Sequence, residues 1–315
     1  MVSQFFAVLA TSRRTALLEN TLHSLAHCEQ PETYRGTIVI ENGGHRTAHS
    51  LVESFRPTLQ TRYLHLPEGN KSRALNAAVD SLAESLSDET LVFFTDDDVE
   101  FHPRLLMEYA EASAFKGPGN MFGGPTDPGY DSEPPDWLHP YLPRSARGWS
   151  IDTREMTRIR KPKLLGFNWA AFVSDLRRIG GFDPNYGPGG SYGSGQETYA
   201  QIKLMRKGVR CWYLPEARVR HYVPVERCTP EWALRRAHRM GRGYGLFQQT
   251  PLRRGFWFLT AAGGVAAARL WRSLPGEHDQ ERPRFAAEYY ESLFAGVLEG
   301  LRAKQYQRRS AAPAC

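Results

Sequence analysis

The chain has 315 residues, 41% of them hydrophobic and 12% aromatic, which supplies a substantial core and excludes an intrinsically disordered chain. Its net charge of +6 is unevenly spread: through Val225 there are 25 Lys and Arg against 26 Asp and Glu, and from Glu226 onward 15 against 8. Cys28, Cys211, Cys228 and Cys315 are scattered without a CxxC spacing, which argues against a zinc ribbon or a disulfide framework and fits a reducing, cytoplasmic setting.

Phe5–Thr11 reads as a buried first strand. Its arginines follow the apolar run, unlike the basic start of a secretory leader. Thr15–Ala26 then sets Leu18, Leu22 and Leu25 at helical spacing. The alternation continues with a strand at Thr37–Glu41, a helix at His49–Phe55, a strand at Arg62–Leu66, a helix at Ser72–Leu86 and a strand at Leu91–Thr95. This pattern predicts an α/β fold whose mostly parallel central sheet is flanked by helices and binds ligands at the carboxyl ends of its strands.

That edge carries the most informative feature of the chain, the triplet Asp96, Asp97 and Asp98. Adjacent carboxylates repel one another and are costly to bury, so a cation is expected beside them, and hard oxygen ligands point to Mg²⁺ or Mn²⁺. Strand alternation would put Asp96 and Asp98 on one side and Asp97 on the other. Thr11, Ser12 and Arg13 follow strand one, Glu41 and Asn42 follow strand two, and Lys71 and Arg73 follow strand three. Singly these are caps or solvated charges. Together they describe a pocket for a nucleotide, with an acid for hydroxyls, cations for phosphate and a place for metal. Neither GxGxxG nor GxxxxGK[ST] is present, so no glycine-rich loop after strand one cradles phosphate.

Another strand is expected at Met121–Gly124. The long stretch from Pro125 to Lys163 reads as a loop studded with Tyr130, Trp137, Tyr141 and Trp149, whose rings suit either sugar faces or packing beneath the loop.

From Gly166 to Pro224 the chain carries Gly180-Gly181-Phe182-Asp183, a glycine-rich stretch from Gly187 to Gly195, then Gln196-Glu197-Thr198, and finally His221. In that order, after an acidic strand end, these words resemble the family 2 glycosyltransferases, inverting enzymes of GT-A fold, and the likeness spans about Phe5 to Pro224. It implies a GT-A domain over 1–225, with a nucleotide-binding half at 1–100 and an acceptor-binding half at 101–225, ahead of a basic helical extension at 226–315. It further implies a nucleotide-diphosphate donor, UDP-sugar favoured, and a hydroxyl-bearing acceptor: a glycan, a lipid-linked molecule or a small molecule. Glu197 takes the place of the general base, and Asp96, Asp98 and His221 that of the Mn²⁺ or Mg²⁺ ligands. Glu41, Arg73, Asp96 and Asp97 fall on the donor side with Thr11, Ser12, Arg13, Asn42 and Lys71. Trp137, Trp149, Asn168, Trp169, Asp183 and Gln196 fall on the acceptor side. Where the family usually shows Glu-Asp this chain has Gln196-Glu197, which leaves open a non-catalytic nucleotide-sugar or glycan binder. Nucleic-acid binding through the basic end would leave the acidic triplet unexplained, and no nucleic-acid partner is expected.

In the last third, Trp232–Arg242 reads as a helix broken by Gly241, Gly243 and Gly245. Phe256–Leu270 is apolar but short of the roughly 20 residues that span a bilayer. It fits a buried helix or an interfacial helix docking peripherally on an anionic membrane at the cytoplasmic face. Phe285–Arg302 completes the series as an amphipathic helix.

Overall fold

A computed structural model of the chain describes residues 4–82, 89–248, 250–273 and 281–310, with side chains from 284 to 303 in the last stretch. It divides into two compact units. The first comprises Met1–Gly129, Arg144–Ser191 and Gly195–Tyr222; the second comprises Tyr130–Pro143, Tyr192–Ser194 and Val223–Cys315.

The first unit is built on β1 (Gln4–Thr11), α1 (Thr15–Ala26), β2 (Tyr34–Asn42), α2 (His49–Ser54), α3 (Arg56–Leu59), β3 (Arg62–Leu66), α4 (Lys71–Asp80) and β4 (Thr90–Asp96). The expected helix at Ser72–Leu86 thus corresponds to α4, and its stretch at 83–86 lies outside the described residues. After β4 come β5 (Val99–Phe101), α5 (Leu105–Lys116), β6 (Asn120–Gly123) and β7 (Thr126–Tyr130). The stretch expected as one loop carries β7, a 3-10 turn at Asp136–Tyr141, the single turn α6 (Arg144–Arg147) and β8 (Thr157–Ile159). Then follow β9 (Trp169–Phe172), α7 (Val173–Arg178), α8 (Gln196–Arg206), β10 (Arg210–Tyr213) and β11 (Val219–Val223).

The described residues form an eight-stranded sheet in the order β3-β2-β1-β4-β9-β6-β10-β8, and β5, β11 and β7 form a smaller one. β3, β2, β1 and β4 are parallel, and β9 runs against both β4 and β6. Because β1 lies between β2 and β4, the chain winds outward in opposite directions from the β1/β4 pair, and its carboxyl ends open a crevice there. Strand sequence explains the layering: Phe5, Ala7 and Leu9 face one apolar layer, whereas Phe6, Val8 and Ala10 face the other. A strand covered on both faces must be apolar at every position, which is why β1 and β4 read as unbroken hydrophobic runs.

The second unit contains α9 (Pro230–Phe247), α10 (Pro251–Ser273) and α11 (Glu281–Ser310). Thr229 caps α9, its hydroxyl accepting from the Trp232 N–H. Contrary to expectation, α9 runs through its glycines. A Cβ on Gly241 or Gly245 would strike the α11 backbone at Leu293 or Val297, and one on Gly296 or Gly300 would strike the α9 backbone at His238 or Arg242. Four glycines, spaced four apart on each helix, therefore let the two backbones meet, and that close approach offsets their cost of roughly 1 kcal/mol each in a helix interior. Contrary to the buried alternative, α10 is largely exposed; Ala261 and Ala268 are its buried positions.

Candidate functional site at the carboxyl edge of the sheet

β1, β2 and β4 end in register: Thr11 pairs with Glu41, and Ala10 with Asp96. β4 stops at Asp96, and Asp97 and Asp98 lie in a bend, so the alternation expected of the triplet stops with the strand. Asp96 takes an ion pair from Lys71. Asp97 and Asp98 instead share Arg14, whose guanidinium pairs with Asp97 and donates to Asp98 Oδ2 at 2.6 Å. Thr11 donates to Asp97 Oδ2, also at 2.6 Å. Burial is the main influence on the Asp97 carboxyl; Arg14 and Thr11 oppose it and Asp98 adds to it, and the net effect is a pKa pushed up to about 6.

Arg14 is the cation that sequence reading missed. Arg13, singled out for its position after strand one, is solvent-exposed with φ at +57°, and Ser12 is exposed beside it. That left-handed backbone, unusual for a residue with a Cβ and costing about 1–2 kcal/mol, turns the chain between strand and helix at the point where Arg14 reaches the acids. The only available signal was the doublet Arg13-Arg14 itself.

The nearly buried His221 on β11 places Nε2 3.6 Å from Asp98 Oδ1, and its ring stacks on Phe167 with centroids 4.4 Å apart. Among the described residues no group of three or more His, Cys, Asp or Glu forms a ready-made metal cage. Asp98 and His221 nevertheless offer one hard oxygen and one imidazole nitrogen facing each other. Such a pair fits an ion that takes its other ligands from water and substrate phosphates, as Mg²⁺ does at phosphoryl sites.

Lys71 opens α4, whose N-cap Asn70 accepts from the Arg73 N–H at 3.0 Å. Burial opposes the charge on Lys71, but Asp96 first, then Glu197 and Asp98, outweigh it and hold the ammonium above its ordinary pKa. Arg73 is exposed and pairs loosely with Glu68. The Asn42 side chain accepts from the Asn70 N–H at 2.9 Å, joining the ends of β2 and the loop before α4.

Glu41 is buried, and its oxygens accept from the Thr47 N–H, the Thr47 hydroxyl, the Ala48 N–H and the Tyr63 hydroxyl at 2.6–3.0 Å. Burial pushes this carboxyl up, but those hydrogen bonds, Tyr63 foremost, outweigh it and hold the pKa below the ordinary value. In this geometry Glu41 organises the loop after β2.

On the far side of the crevice, Glu197 lies in the first turn of α8, partly exposed, with Gly166 against it and its charge felt by both Lys71 and Arg144. Gln196 is buried against Gly187, a position where a charged acid would be costly. The first half of the glycine-rich segment is clamped. Asn70 donates to the Pro184 carbonyl at 2.9 Å, the Lys71 N–H to Pro188 at 3.0 Å and the Ser72 hydroxyl to Tyr186 at 2.8 Å. Gly189 lies so close to the Gly69 backbone that no Cβ would fit. Asp183 closes a turn by accepting from the Asn185 N–H at 2.9 Å, and Asn76 holds both the N–H and the carbonyl of Phe182.

Two residues expected on the acceptor side belong to the core. Trp169 has no exposed surface and stacks on Phe94. Asn168 is equally buried and links Tyr109 with the Pro125 and Ala217 carbonyls. A large ring on a central strand and an amide with every partner supplied have nothing left for a ligand. Trp149 is partly exposed and packs edge-on to Tyr213; Trp137, in the second unit, packs on Phe285.

No protein-family model matches the chain, and no curated protein matches it in sequence. Solved structures do match. The Staphylococcus aureus TarS fragment 1–349 bound to UDP superposes with TM-score 0.53 at 13% identity, over 97% of this chain and 92% of that one. The Pyrobaculum calidifontis mannosyltransferase PcManGT, with GDP-Man and Mn²⁺, gives 0.52 at 18% identity over 99% and 76%. GalNAc-T7 with UDP, GalNAc and Mn²⁺ gives 0.57 at 14% identity over 99% and 58%. The chain therefore has the GT-A fold, the α/β architecture of nucleotide-sugar glycosyltransferases.

Proposed function

We propose that the protein is a metal-dependent inverting glycosyltransferase of the family 2 type, transferring a sugar from a nucleotide diphosphate, UDP favoured, to an acceptor hydroxyl. The observation that carries this reading is the crevice itself. At the β1/β4 carboxyl edge, three aspartates meet Arg14, Lys71 and His221, and Glu197 lies within electrostatic reach of Lys71. Support comes from the neighbours of the same fold, which were solved with UDP or GDP-Man, two of the three with Mn²⁺.

Asp98 and His221 would hold the divalent ion, which when bound supplies a Lewis acid for the diphosphate leaving group, whereas Asp96, expected as a third ligand, is engaged by Lys71. Lys71 and Arg14 add positive charge to the same edge and stabilise the oxygen that gains charge as the anomeric C–O bond breaks. Glu197 accepts the proton of the acceptor hydroxyl, whose oxygen forms the new bond to the anomeric carbon from the opposite face. One displacement without a covalent intermediate inverts the configuration. Glu41 sets the loop after β2 for the base, with Thr11 and Asn42 at the crevice edge. Trp149 is assigned to the acceptor. We place the protein in the cytoplasm, where nucleotide sugars are the available donors.

Gln196 is buried, and we read it as a packing position rather than a lost catalytic acid. The test is release of nucleotide diphosphate from UDP- and GDP-sugars with Mn²⁺, by the native protein and by Glu197→Gln. Turnover in the native protein alone, with equal donor binding by both, supports the reading. Normal turnover by Glu197→Gln would overturn the assignment of the base.

A further inference from the structure

Among the described residues, α10 is covered along one side only. Ala261 and Ala268 are buried, and a Cβ on Gly264 would strike the Phe294 ring of α11. On the opposite side Leu252, Phe256, Leu259 and Leu270 are exposed by 89%, 65%, 74% and 63%. With Gly263 and Ala267 between them these residues recur at steps of three and four, so they form a single stripe, about 27 Å long at 1.5 Å per residue. Trp271, also exposed, ends the stripe. No Asp or Glu occurs from Pro251 to Ser273, whereas Arg253, Arg254, Arg269 and Arg272 do. Among the described residues no helix is long and apolar enough to cross a membrane.

We propose that α10 docks the protein on an anionic lipid bilayer, lying in the plane of the headgroups with this stripe inserted among the upper acyl carbons. Apolar length on one face, arginines at both ends, a terminal Trp and no acid form the pattern of a helix held at a charged interface. Glu291 pairs with Arg269 and Arg272, but the region from Glu226 onward keeps 15 basic against 8 acidic residues, so its attraction to negative lipid survives that pairing. A second copy is the less suitable occupant. Pairing α10 with itself would bring the arginines of two copies together, and α10 carries no Asp or Glu to offer the arginines of the other copy.

The test is cosedimentation of the full chain with vesicles of phosphatidylcholine alone and with about 25% phosphatidylglycerol, an anionic content chosen to give a negative surface potential. Binding is expected to the mixed vesicles only, to weaken as salt rises, and to fall at least about tenfold in the double variant F256E/L259E. Arg253→Glu should weaken it less. Both apolar positions face solvent, so the helical circular dichroism should be unchanged; if the double variant unfolds, Leu252→Gln carries the same expectation with a smaller drop. Failure to bind mixed vesicles, or equal binding by the folded variants, would overturn the proposal. So would a concentration-dependent dimer in light scattering that the same substitutions abolish. None of these readouts involves the crevice, so they stand apart from the test of transfer.

Discussion

The two units handle apolar and polar groups in opposite ways. Of the eleven large apolar side chains exposed among the described residues, ten lie between Val225 and Tyr290, and the sheet unit contributes Phe115 alone. The sheet unit hides its hydrophobic runs on both faces and gathers buried charge at one edge, where Asp96 pairs with Lys71, Asp97 and Asp98 share Arg14, and Glu41 is held by hydrogen bonds. The helical unit has few fully buried side chains, joins two helices by glycine contact and leaves an apolar stripe in solvent. A fold organised around a polar crevice suits a small anionic ligand; one organised around an uncovered stripe suits a surface.

Substitutions can break this contrast from either side. The largest effect is expected from Glu197→Gln, which should lower transfer by about 10²–10⁴-fold, the range for loss of a general base, with donor affinity unchanged by calorimetry. Asp98→Ala removes a buried partner of both Arg14 and His221 and should weaken Mn²⁺-dependent UDP binding by about 100-fold, some 2.7 kcal/mol. In the helical unit, Gly241→Val forces a side chain onto the Leu293 backbone and should cost about 1–3 kcal/mol in thermal or denaturant unfolding, with UDP binding retained. Tyr63→Phe deletes one of the hydrogen bonds to Glu41 and should cost about 1 kcal/mol.

The smallest effect is a pH dependence. Because the folded pKa of Glu41 is depressed, its contribution is complete above the unfolded value of about 4.3 and is lost as pH falls through the folded value. The stability gap between the native protein and Glu41→Gln should therefore be widest near neutrality and narrow in acid. A gap independent of pH would mean that folding leaves the Glu41 carboxyl unshifted, and a gap that narrows as pH rises would mean that the pocket disfavours its charge.

Much of the fold was legible because period and composition agree where strands are buried on both sides. α1 and β3 match their expected bounds to the residue, and β1, β2 and β4 match within a few residues. Glycine misled at α9, since in sequence it reads as a break. Gly241 and Gly245 continue a helix. The resemblance set Trp169 and Asn168 on the acceptor side, whereas a central strand buries Trp169 and the Asn168 amide, just before it, is held by Tyr109 and two backbone carbonyls. Arg14 was hidden by its neighbour: which member of an arginine doublet turns inward depends on one backbone dihedral, and composition does not encode it.

The most direct test of the central claim is the anomalous scattering of crystals soaked with Mn²⁺ and uridine diphosphate. A peak bonded to Asp98, His221 and the diphosphate oxygens, at the carboxyl edge of β4, is the predicted result. Diphosphate bound elsewhere, or bound at that edge with no manganese beside those residues, would contradict it.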